Sequence, residues 1–424
     1  MVRGHGYPAA ALAGTAVLIA SCTSPTSGVA VKAAEPGDAD AAVIALMDTG
    51  PYATAQGHPF GAVGDDAQGQ SVLEAHRIAD YTVGPWEADD AIRQFPAVID
   101  TAITGPVATP QMMRANAVLP DPLPDVAAAH RMVSGFSTVR TSGPEDGQPR
   151  ALQNVVLLFP DPGAAAAAAA EMAAKAPDLP GVAPGRPTPL PGTPEALAET
   201  YDLPDGIARV DSFTARGPYV LYQSGRTAAG FLGKDAAVLV DLTLTTQKKR
   251  IDEFSPTERS ALPDLPLDPT GLLMAQTLWA PDNSAPFIAG MWQPRGWLHF
   301  EVDPVTATAL FNTAGVDAVG QRLTTVYQAA NADGAARIVD EFSDQLAALE
   351  SVKPVDGVPG LPGARCFERE RAALPSTAPA TWQRVAWHFK CVARADRWAY
   401  TAYSADPADA RQQVSAQYRI LAGE

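Results

Sequence analysis

The stretch that decides the fold is Gln153-Asn-Val-Val-Leu-Leu-Phe159, followed by Pro160-Asp161-Pro162 and an almost pure alanine run over residues 163–175. A short, continuous apolar run bounded by turn residues is typical of a buried strand. Asp is favoured at a helix N-cap and Pro at the first helical position. The stretch therefore predicts a strand that leads directly into a helix.

The same pattern recurs in the second half of the chain. Leu323-Thr-Thr-Val-Tyr327 predicts a strand, and Asn331 is placed to cap a helix with apolar residues at helical spacing. Asn331 lies 170 positions after Asp161. Further matched pairs follow in the same order: Leu190-Pro-Gly192 with Leu361-Pro-Gly363, strand 209–213 with 384–389, strand 218–222 with 397–403, and helix 235–254 with 407–421.

We conclude that the chain carries an internal duplication. The predicted fold class is α+β, with two similar lobes that are each a mainly antiparallel sheet with helices packed on one face. The predicted organisation is a signal peptide (1–21), a flexible tether (22–40), an N-terminal α+β domain (41–255), a linker (256–270) and a C-terminal α+β domain with a disulfide (271–424). Residues 41–149 are interpreted as an elaboration that precedes the first repeat.

The N-terminal residues predict where the protein is located. Arg3 precedes a short apolar run, which ends in Ile19-Ala20-Ser21-Cys22. A basic start, an apolar run too short to span a bilayer and small residues before the cleavage point are features of a secretory signal. The cysteine resembles that of the bacterial lipobox, so Cys22 is predicted to carry lipid and to be the only membrane attachment. The predicted location is extracytoplasmic, on the outer face of the plasma membrane.

The net charge of −16 suits a soluble protein outside the cell. It disfavours nucleic acid as a partner, because an acidic surface repels phosphates.

Besides Cys22, the chain has only Cys366 and Cys391. A pair in an oxidising compartment predicts a disulfide, which would fasten a strand at Cys391 to a loop at Cys366. Closing such a loop is worth about 3 kcal/mol in the chain-entropy model. A thiol metal site is the alternative, although no histidine lies at ligand spacing.

Catalytic motifs are absent from the sequence: it has no G-x-S-x-G, S-x-x-K or H-E-x-x-H. His76 and Asp80 share one face of a predicted helix, with Glu74 on another. His299 and Glu301 alternate along a predicted strand, where acid–base work would need a neighbouring nucleophile. Residues 225–234 contain glycines and Lys234 but lack the spacing of a phosphate loop, and they predict a turn before a helix. We therefore predict no catalytic residues, no metal site and no cofactor.

One stretch of the sequence is rich enough in aromatic residues to be considered as a ligand-binding surface. Its members are Trp382, Trp387, Phe389, Trp398, Tyr400 and Tyr403. Core packing is one interpretation, and a groove that stacks on sugars or lipid tails is the other. Three further tryptophans, Trp279, Trp292 and Trp297, mark a strand-rich opening to the second domain.

Three stretches carry a resemblance to a known family: residues 46–52 (LMDTGPY), residues 74–87 (EAHRIADYTVGPWE), and Phe159-Pro-Asp-Pro with its alanine helix. Together they resemble a family of uncharacterised envelope lipoproteins from mycobacteria, nocardiae and related actinobacteria. The resemblance covers nearly the whole mature chain and implies two domains of unknown function, attached to the outer face of the plasma membrane. These motifs are not catalytic.

The leading functional hypothesis is a non-enzymatic envelope lipoprotein that binds a lipid, glycan or protein ligand in a cleft between its lobes. The alternatives are an envelope hydrolase whose site is not visible in sequence, and a structural or assembly lipoprotein.

Overall fold

Two seven-stranded antiparallel sheets form the two lobes, and their strands follow the same order. The computed structural model of the chain describes residues 41–96, 104–143, 147–176, 182–204, 206–281, 288–370 and 387–423. Numbered within each lobe along the chain, both sheets run 1-2-3-7-6-5-4. The α+β class, the antiparallel sheets and the duplication are thus confirmed.

The N-terminal sheet contains β1 (Gly105–Pro106), β2 (Ser134–Thr141), β3 (Ala151–Leu158), β4 (Arg186–Pro187), β5 (Leu197–Asp202), β6 (Ile207–Arg216) and β7 (Tyr219–Ala228). The C-terminal sheet contains β8 (Gly290–Trp292), β9 (Ala318–Gln321), β10 (Thr325–Gln328), β11 (Val352–Val355), β12 (Arg365–Arg369), β13 (Phe389–Ala395) and β14 (Trp398–Ser404). The α-helices are α1 (Ala67–Ala79), α2 (Pro85–Ala88), α3 (Pro110–Ala115), α4 (Leu123–Ala129), α5 (Pro162–Ala174), α6 (Ala236–Ile251), α7 (Pro294–Trp297), α8 (Pro304–Ala314), α9 (Ala332–Ala347) and α10 (Pro407–Ala422).

The predicted N-caps hold the two equivalent helices in place. The Asp161 carboxylate accepts a hydrogen bond from the Ala164 amide at 2.8 Å, and the Asn331 side chain accepts one from the Gly334 amide at 2.9 Å. Each cap satisfies a backbone donor that has no partner inside its helix. The strand–helix pairs β3–α5 and β10–α9 therefore begin in the same way.

Helices cover both faces of each sheet, which differs from the expected single face. In β3, Val155 and Leu157 pack in the same cluster as α5, whereas Val156 and Leu158 pack in the same cluster as α6. The C-terminal sheet likewise lies between α9 and α10. The run of consecutive apolar residues in β3 is consistent with burial on both faces, because such a strand lacks the alternation of polar and apolar residues that a half-exposed strand shows.

A pair of buried glutamines shows how closely the duplication extends to side chains. Gln247 accepts a hydrogen bond from the Val83 amide at 2.8 Å and donates to the Tyr81 carbonyl at 2.8 Å. Gln417 accepts from the Leu278 amide at 2.8 Å and donates to the Gln276 carbonyl at 2.7 Å. Both glutamines hold a backbone segment of three residues at the same place in the lobe.

The partners on the sheets repeat as well, since Asn154 and Thr324, again 170 positions apart, donate to these two glutamines. The segments that the glutamines hold also match: the hydroxyls of Thr82 and Thr277 each donate to the carbonyl four residues earlier. The repeat consequently reaches back to at least residue 78, earlier than the sequence indicated. Strands β1 and β2 belong to it, so residues 41–149 are only partly an elaboration.

The second-lobe strand predicted over residues 384–389 starts later. Residues 384–386 lie outside the described part of the chain, and β13 begins at Phe389. The partner strand β14 agrees with the predicted range.

The predicted disulfide joins Cys366 and Cys391, with 4.1 Å between their Cα atoms. Cys366 lies in strand β12 and not in a loop, directly opposite Cys391 in β13. The bond therefore crosses two paired strands. The equivalent pair in the first lobe is Ala198 and Ser212, which also lie opposite each other.

The two lobes share one hydrophobic core. A single cluster contains Phe136 and Val240 of the first lobe together with Trp292, Trp297 and Phe300 of the second. The Phe136 ring lies edge-on to Phe300 at a centroid distance of 6.1 Å. Burial of this much aromatic surface is typical of a domain interior rather than of a hinged boundary.

A buried arginine fastens the same boundary. The guanidinium of Arg140, on β2, donates to the carbonyls of His299 and Glu301 at 2.7 and 2.8 Å and to that of Arg93 at 2.9 Å. It also lies 3.6 Å above the centre of the Phe95 ring. Separating the lobes would break the two charged hydrogen bonds to His299 and Glu301, and such bonds to a charged group are among the stronger ones in a protein.

The N-terminal segment contacts the second lobe, although the sequence assigns residues 41–255 to the first. The Val43 amide donates to the Gly360 carbonyl at 2.7 Å, and the Tyr52 hydroxyl donates to Asp409 at 2.5 Å. The predicted linker 256–270 is ordered: Leu262 and Asp268 are buried, and Leu265 pairs with Val63.

Candidate functional site

A pocket of about 370 Å³ opens at the boundary between the lobes. Its walls come mainly from three places: the C-terminal half of α1, the connecting segment 265–270, and strand β8 with the residue after it. Phe254, after α6, and Ala318, on β9, complete the lining. Most of its lining is apolar, from Leu73, Tyr81, Phe254, Leu265, Pro266, Leu267, Pro269, Met291, Trp292 and Ala318. The polar lining residues are His76, Arg77, Asp80, Thr270 and Gln293.

Helix α1 and its C-cap supply three of the polar groups, His76, Arg77 and Asp80, because of how the helix is capped and packed. Asp66 caps its N-terminus by accepting a hydrogen bond from the Gln68 amide at 3.1 Å. Its inward face carries Ala75, Ile78 and Ala79, which are fully buried. This orientation brings His76 against the second lobe.

His76 is the most buried polar residue of the pocket, with 4 % of its surface exposed. Its ring stacks on Trp292, with centroids 3.8 Å apart, and its Nδ1 lies 3.2 Å from the Met291 carbonyl. Burial lowers the pKa of His76 to about 3, and the hydrogen bond with Met291 opposes this only in part. The imidazole is therefore neutral at ordinary pH.

The close approach of His76 requires a glycine on β8. Gly290 has φ +146°, and a Cβ at this position would lie 2.5 Å from Cε1 of His76. Any other residue would clash with the ring and would strain the backbone.

Arg77 fastens the rim of the pocket. Its guanidinium donates to the buried Glu74 carboxylate at 2.7 Å, to the Thr257 hydroxyl, and to the Ser255 carbonyl at 3.1 Å. It also lies 5.1 Å from the centre of the Phe254 ring. The charge of Arg77 is thus used to hold the segment that follows α6.

Asp80 separates this pocket from a second one. Its carboxylate accepts a hydrogen bond from the Gly296 amide at 3.0 Å, and burial raises its pKa. The second pocket, of about 540 Å³, lies on the other side and is also lined by Trp86, Arg295 and Phe311.

Chemically, the first pocket is suited to binding. Its lining contains no serine or cysteine, and the Thr270 hydroxyl donates to Asp268 at 2.6 Å. Within the described residues, no group of three or more His, Cys, Asp and Glu side chains could hold a metal ion. An apolar cavity with a few convergent polar groups is the usual form of a small-molecule site.

The sequence singled out two pairs of polar residues, and the structure places one of them, His76 and Asp80, in this pocket. His76 and Asp80 both line it, but at the boundary between the lobes rather than on a free helix surface: His76 is buried and Asp80 is half-buried. Glu74 is buried too and bonds to Arg77 and Thr257.

His299 and Glu301 lie elsewhere and are not on a strand. Residues Leu298–Phe300 form a 3-10 helix, which follows directly on α7. His299 bonds to Thr138 at 3.0 Å and to the Ala79 carbonyl at 3.2 Å, and Glu301 accepts from Trp297 and Tyr327 at 2.6 and 2.7 Å. This pair fixes the lobe boundary.

The aromatic group of the second domain does not form one groove. Trp387 and Tyr400 are buried in clusters on opposite faces of the C-terminal sheet, and Trp382 lies outside the described residues. Residues 225–234 comprise the end of β7 and the turn before α6. Cys22 and the tether 22–40 also lie outside the described residues.

Sequence reasoning missed Trp292 and Phe254 as pocket residues. They lie far apart along the chain, so no local pattern joins them. The group of three tryptophans after residue 270 was the available signal, because Trp292 and Trp297 both reach the lobe boundary.

Comparison with protein-family models gives two matches. Residues 60–267 match the model described as "Domain of unknown function (DUF7373) N-terminal", and residues 273–424 match "Domain of unknown function (DUF7373) C-terminal". No curated protein is similar enough to count as a match.

One solved structure is distantly similar, the extracellular domain of PknH from Mycobacterium tuberculosis. The identity is 11 %, the alignment covers 41 % of this chain and 94 % of that chain, and the TM-score is 0.28. At this TM-score the similarity carries no argument about fold or function. Within the described residues, no helix has the length and apolar character needed to cross a membrane.

Proposed function

This chain belongs to the DUF7373 family, whose two domains have no assigned function, and we propose from its own geometry that it is a lipid-anchored envelope protein that binds an apolar ligand in the pocket between its lobes. The observation that carries the proposal is that pocket. It is mostly apolar, lies between two fused lobes, and has a small set of polar groups in its lining.

The fusion of the lobes supports a preformed site. Because the aromatic core and Arg140 hold the lobes together, the walls of the pocket keep their positions without a ligand. A preformed pocket avoids the cost of ordering its walls on binding. A ligand therefore enters at the rim, next to Leu267, and the lobes do not close around it.

The proposed location rests on the sequence. The segment that ends in Cys22 resembles a lipobox, and the disulfide between Cys366 and Cys391 suits an oxidising compartment. Lipid on Cys22 would keep the binding pocket near the membrane, within reach of the 19-residue tether (22–40). Metabolic labelling with an alkyne-bearing fatty acid tests this: the wild-type chain should be labelled and a Cys22→Ser chain should not.

Ligand binding is tested by photo-crosslinking. The purified mature chain, with Cys22→Ser so that no lipid is attached, is irradiated with a fatty acid that carries a photoreactive diazirine, and the labelled peptides are identified by mass spectrometry. We expect labels in the peptides that contain α1 and strand β8. Labels spread over the surface, or confined to other parts of the chain, would count against the pocket.

Two variants that fill the pocket sharpen this test. Leu267→Trp adds bulk at the half-buried rim, and Ala318→Phe adds bulk on the β9 wall. Both should reduce labelling several-fold. Ala170→Phe makes the same change as the second variant at an exposed position of α5, and it should leave labelling unchanged.

A further inference from the structure

A third pocket, of about 290 Å³, lies within the N-terminal lobe. Its lining comes from strands β2, β3, β6 and β7, from Arg114 on α3, and from the segment 117–121 that follows α3. No residue of the second lobe takes part in this lining. The volume lies at the lower end of the range for small-molecule sites, so it suits a small ligand or one polar group of a larger ligand.

The charged lining of this pocket is mostly cationic. It contains three arginines, Arg114, Arg209 and Arg226, and one carboxylate, that of Asp121. Asp121 pairs with Arg114, but its side chain is 66 % exposed, where ion pairs are weak. In a chain with a net charge of −16, three arginines around one cavity stand out. A cleft lined by one sign of charge concentrates ions of the opposite sign.

Arg209 presents open hydrogen-bond donors, although 8 % of its surface is exposed. Its Nε donates to Asp211 at 2.9 Å, and its Nη2 lies 2.7 Å from the second oxygen of the same carboxylate. Nη2 also donates to the Tyr222 hydroxyl at 3.3 Å. Within the described residues, Nη1 has no hydrogen-bond partner, and it is not among the unpaired polar atoms that the fold closes off from solvent. Because Arg209 lines the pocket, the two N–H groups of Nη1 are accessible from it.

The carboxylate that fixes Arg209 does not share this pocket. Asp211 lines another pocket, next to α5, and is not part of the lining here. Its two oxygens hold one edge of the guanidinium, as in a bidentate pair. The ion pair therefore fixes the orientation of Arg209 before a ligand arrives and leaves Nη1 for the ligand.

A second arginine lies directly opposite Arg209 on the neighbouring strand. Arg209 on β6 and Arg226 on β7 are partners in the register of the sheet. Like charges directly opposite each other destabilise a sheet, so stability does not explain this pair. Ser224, which shares a face of β7 with Arg226, adds a hydroxyl to the same lining.

We infer that this pocket binds an oxyanion group, the carboxylate or phosphate of a small ligand. One oxygen of the group accepts hydrogen bonds from Nη1 of Arg209, and Arg226 and Arg114 supply further positive charge. Ser224 contributes a neutral donor. Arginine suits this task because its planar fork stays charged and matches the geometry of carboxylates and phosphates. The inference goes beyond the proposed function and does not depend on the pocket between the lobes.

Equilibrium dialysis tests the inference with two radiolabelled probes, inorganic phosphate and acetate. The protein is the mature chain from residue 22 with Cys22→Ser, in a buffer of constant chloride concentration. We expect at least one of the probes to bind saturably, with one site per chain. Tighter binding of phosphate would assign the site to a phosphate group, and tighter binding of acetate would assign it to a carboxylate.

Three variants locate the bound probe. Arg226→Gln should weaken binding about tenfold, because it removes one charged donor. The double variant Arg209→Gln/Asp211→Asn should have at least the same effect, and it leaves no buried carboxylate unpaired. Arg114→Gln changes a half-exposed side chain at low risk to folding and should weaken binding several-fold. Arg186→Gln is the matched control, because it removes an exposed arginine of the same sheet outside the pocket, and it should bind like the wild type.

The contrary results are equally definite. If neither probe binds the wild-type chain saturably, the inference is overturned. It is also overturned if binding survives unchanged in Arg114→Gln and in the folded Arg226→Gln chain, or if Arg186→Gln weakens binding as much as they do. None of these results bears on the labelling of the pocket between the lobes, so the proposed function is tested separately.

Discussion

The two histidines buried at the lobe boundary make the stability of this protein depend on pH. His76 and His299 are both almost fully buried, and in each case burial is the main cause that lowers the pKa to about 3. For His299, Glu87 opposes this effect, and Arg140 reinforces it. Both rings also take part in hydrogen bonds to carbonyls across the boundary.

The sign of the effect follows from the two states. In the unfolded chain a histidine takes up a proton near its ordinary pKa of about 6.5, whereas the folded chain keeps both rings neutral down to a pKa of about 3. Above pH 6.5 the stability is therefore unaffected, and it falls as the pH drops below 6.5. At pH 5 each histidine should cost about 2 kcal/mol, or about 4 kcal/mol for the pair.

Urea unfolding at pH 7 and pH 5 measures this difference. Most carboxylates take up their protons below this window. Burial raises the pKa of Asp80, and this acts on the stability in the opposite direction. The wild-type chain should lose about 4 kcal/mol between the two pH values, the single variants His76→Phe and His299→Gln about 2 kcal/mol each, and the double variant almost nothing.

His388→Gln is the matched control, because its side chain is 30 % exposed, and it should lose as much as the wild type. A wild-type loss below about 1 kcal/mol, or single variants with the full loss, would refute the argument that both rings are buried as neutral groups.

Three other predictions concern the architecture. Arg140→Met should lower the free energy of unfolding, measured in urea, by about 3 kcal/mol or more, because three carbonyls lose a charged donor. The control Arg186→Met breaks an exposed ion pair with Asp202 and should change this free energy by less than about 0.5 kcal/mol. Replacing Ala198 and Ser212 together with cysteine should form a second disulfide worth about 3 kcal/mol, and thiol titration that still finds two free cysteines would contradict the strand equivalence. Gln417→Leu should cost about 2–3 kcal/mol in thermal or urea unfolding, because it orphans a buried amide and a buried carbonyl.

The part of the fold that could be predicted from sequence is the part set by local rules. Asp161 and Asn331 mark two helix starts, the apolar run after Gln153 marks a strand, and both predictions agree with the structure. The disulfide could be inferred because only two cysteines remain after Cys22. The repeat could be found because the same caps recur at a constant distance.

The rest depends on contacts that no local pattern encodes. Strands β1 and β8 are two and three residues long, so periodicity cannot detect them. His299 and Glu301 are spaced as in a strand. In the structure, however, Pro294 starts the short helix α7, and the chain continues directly as a 3-10 helix over Leu298–Phe300. Propensity is a weak guide in such short segments.

The pocket escaped prediction for the same reason. His76 meets Trp292 across more than 200 residues, and Phe254 joins them from the end of α6. The sequence suggested a cleft between two lobes, but it could not reveal that a shared core closes most of that boundary. Only the packing of Phe136 and Arg140 against the second lobe shows where the opening remains.

The central claim is that the pocket between the fused lobes holds an apolar ligand. The most direct test is native mass spectrometry with lipid extraction on the mature chain, purified from an actinobacterial host, beside the Leu267→Trp variant. The account predicts an adduct of defined mass on the wild-type chain that is strongly reduced in the variant. A wild-type chain without any adduct, or an equal adduct on both chains, would contradict it.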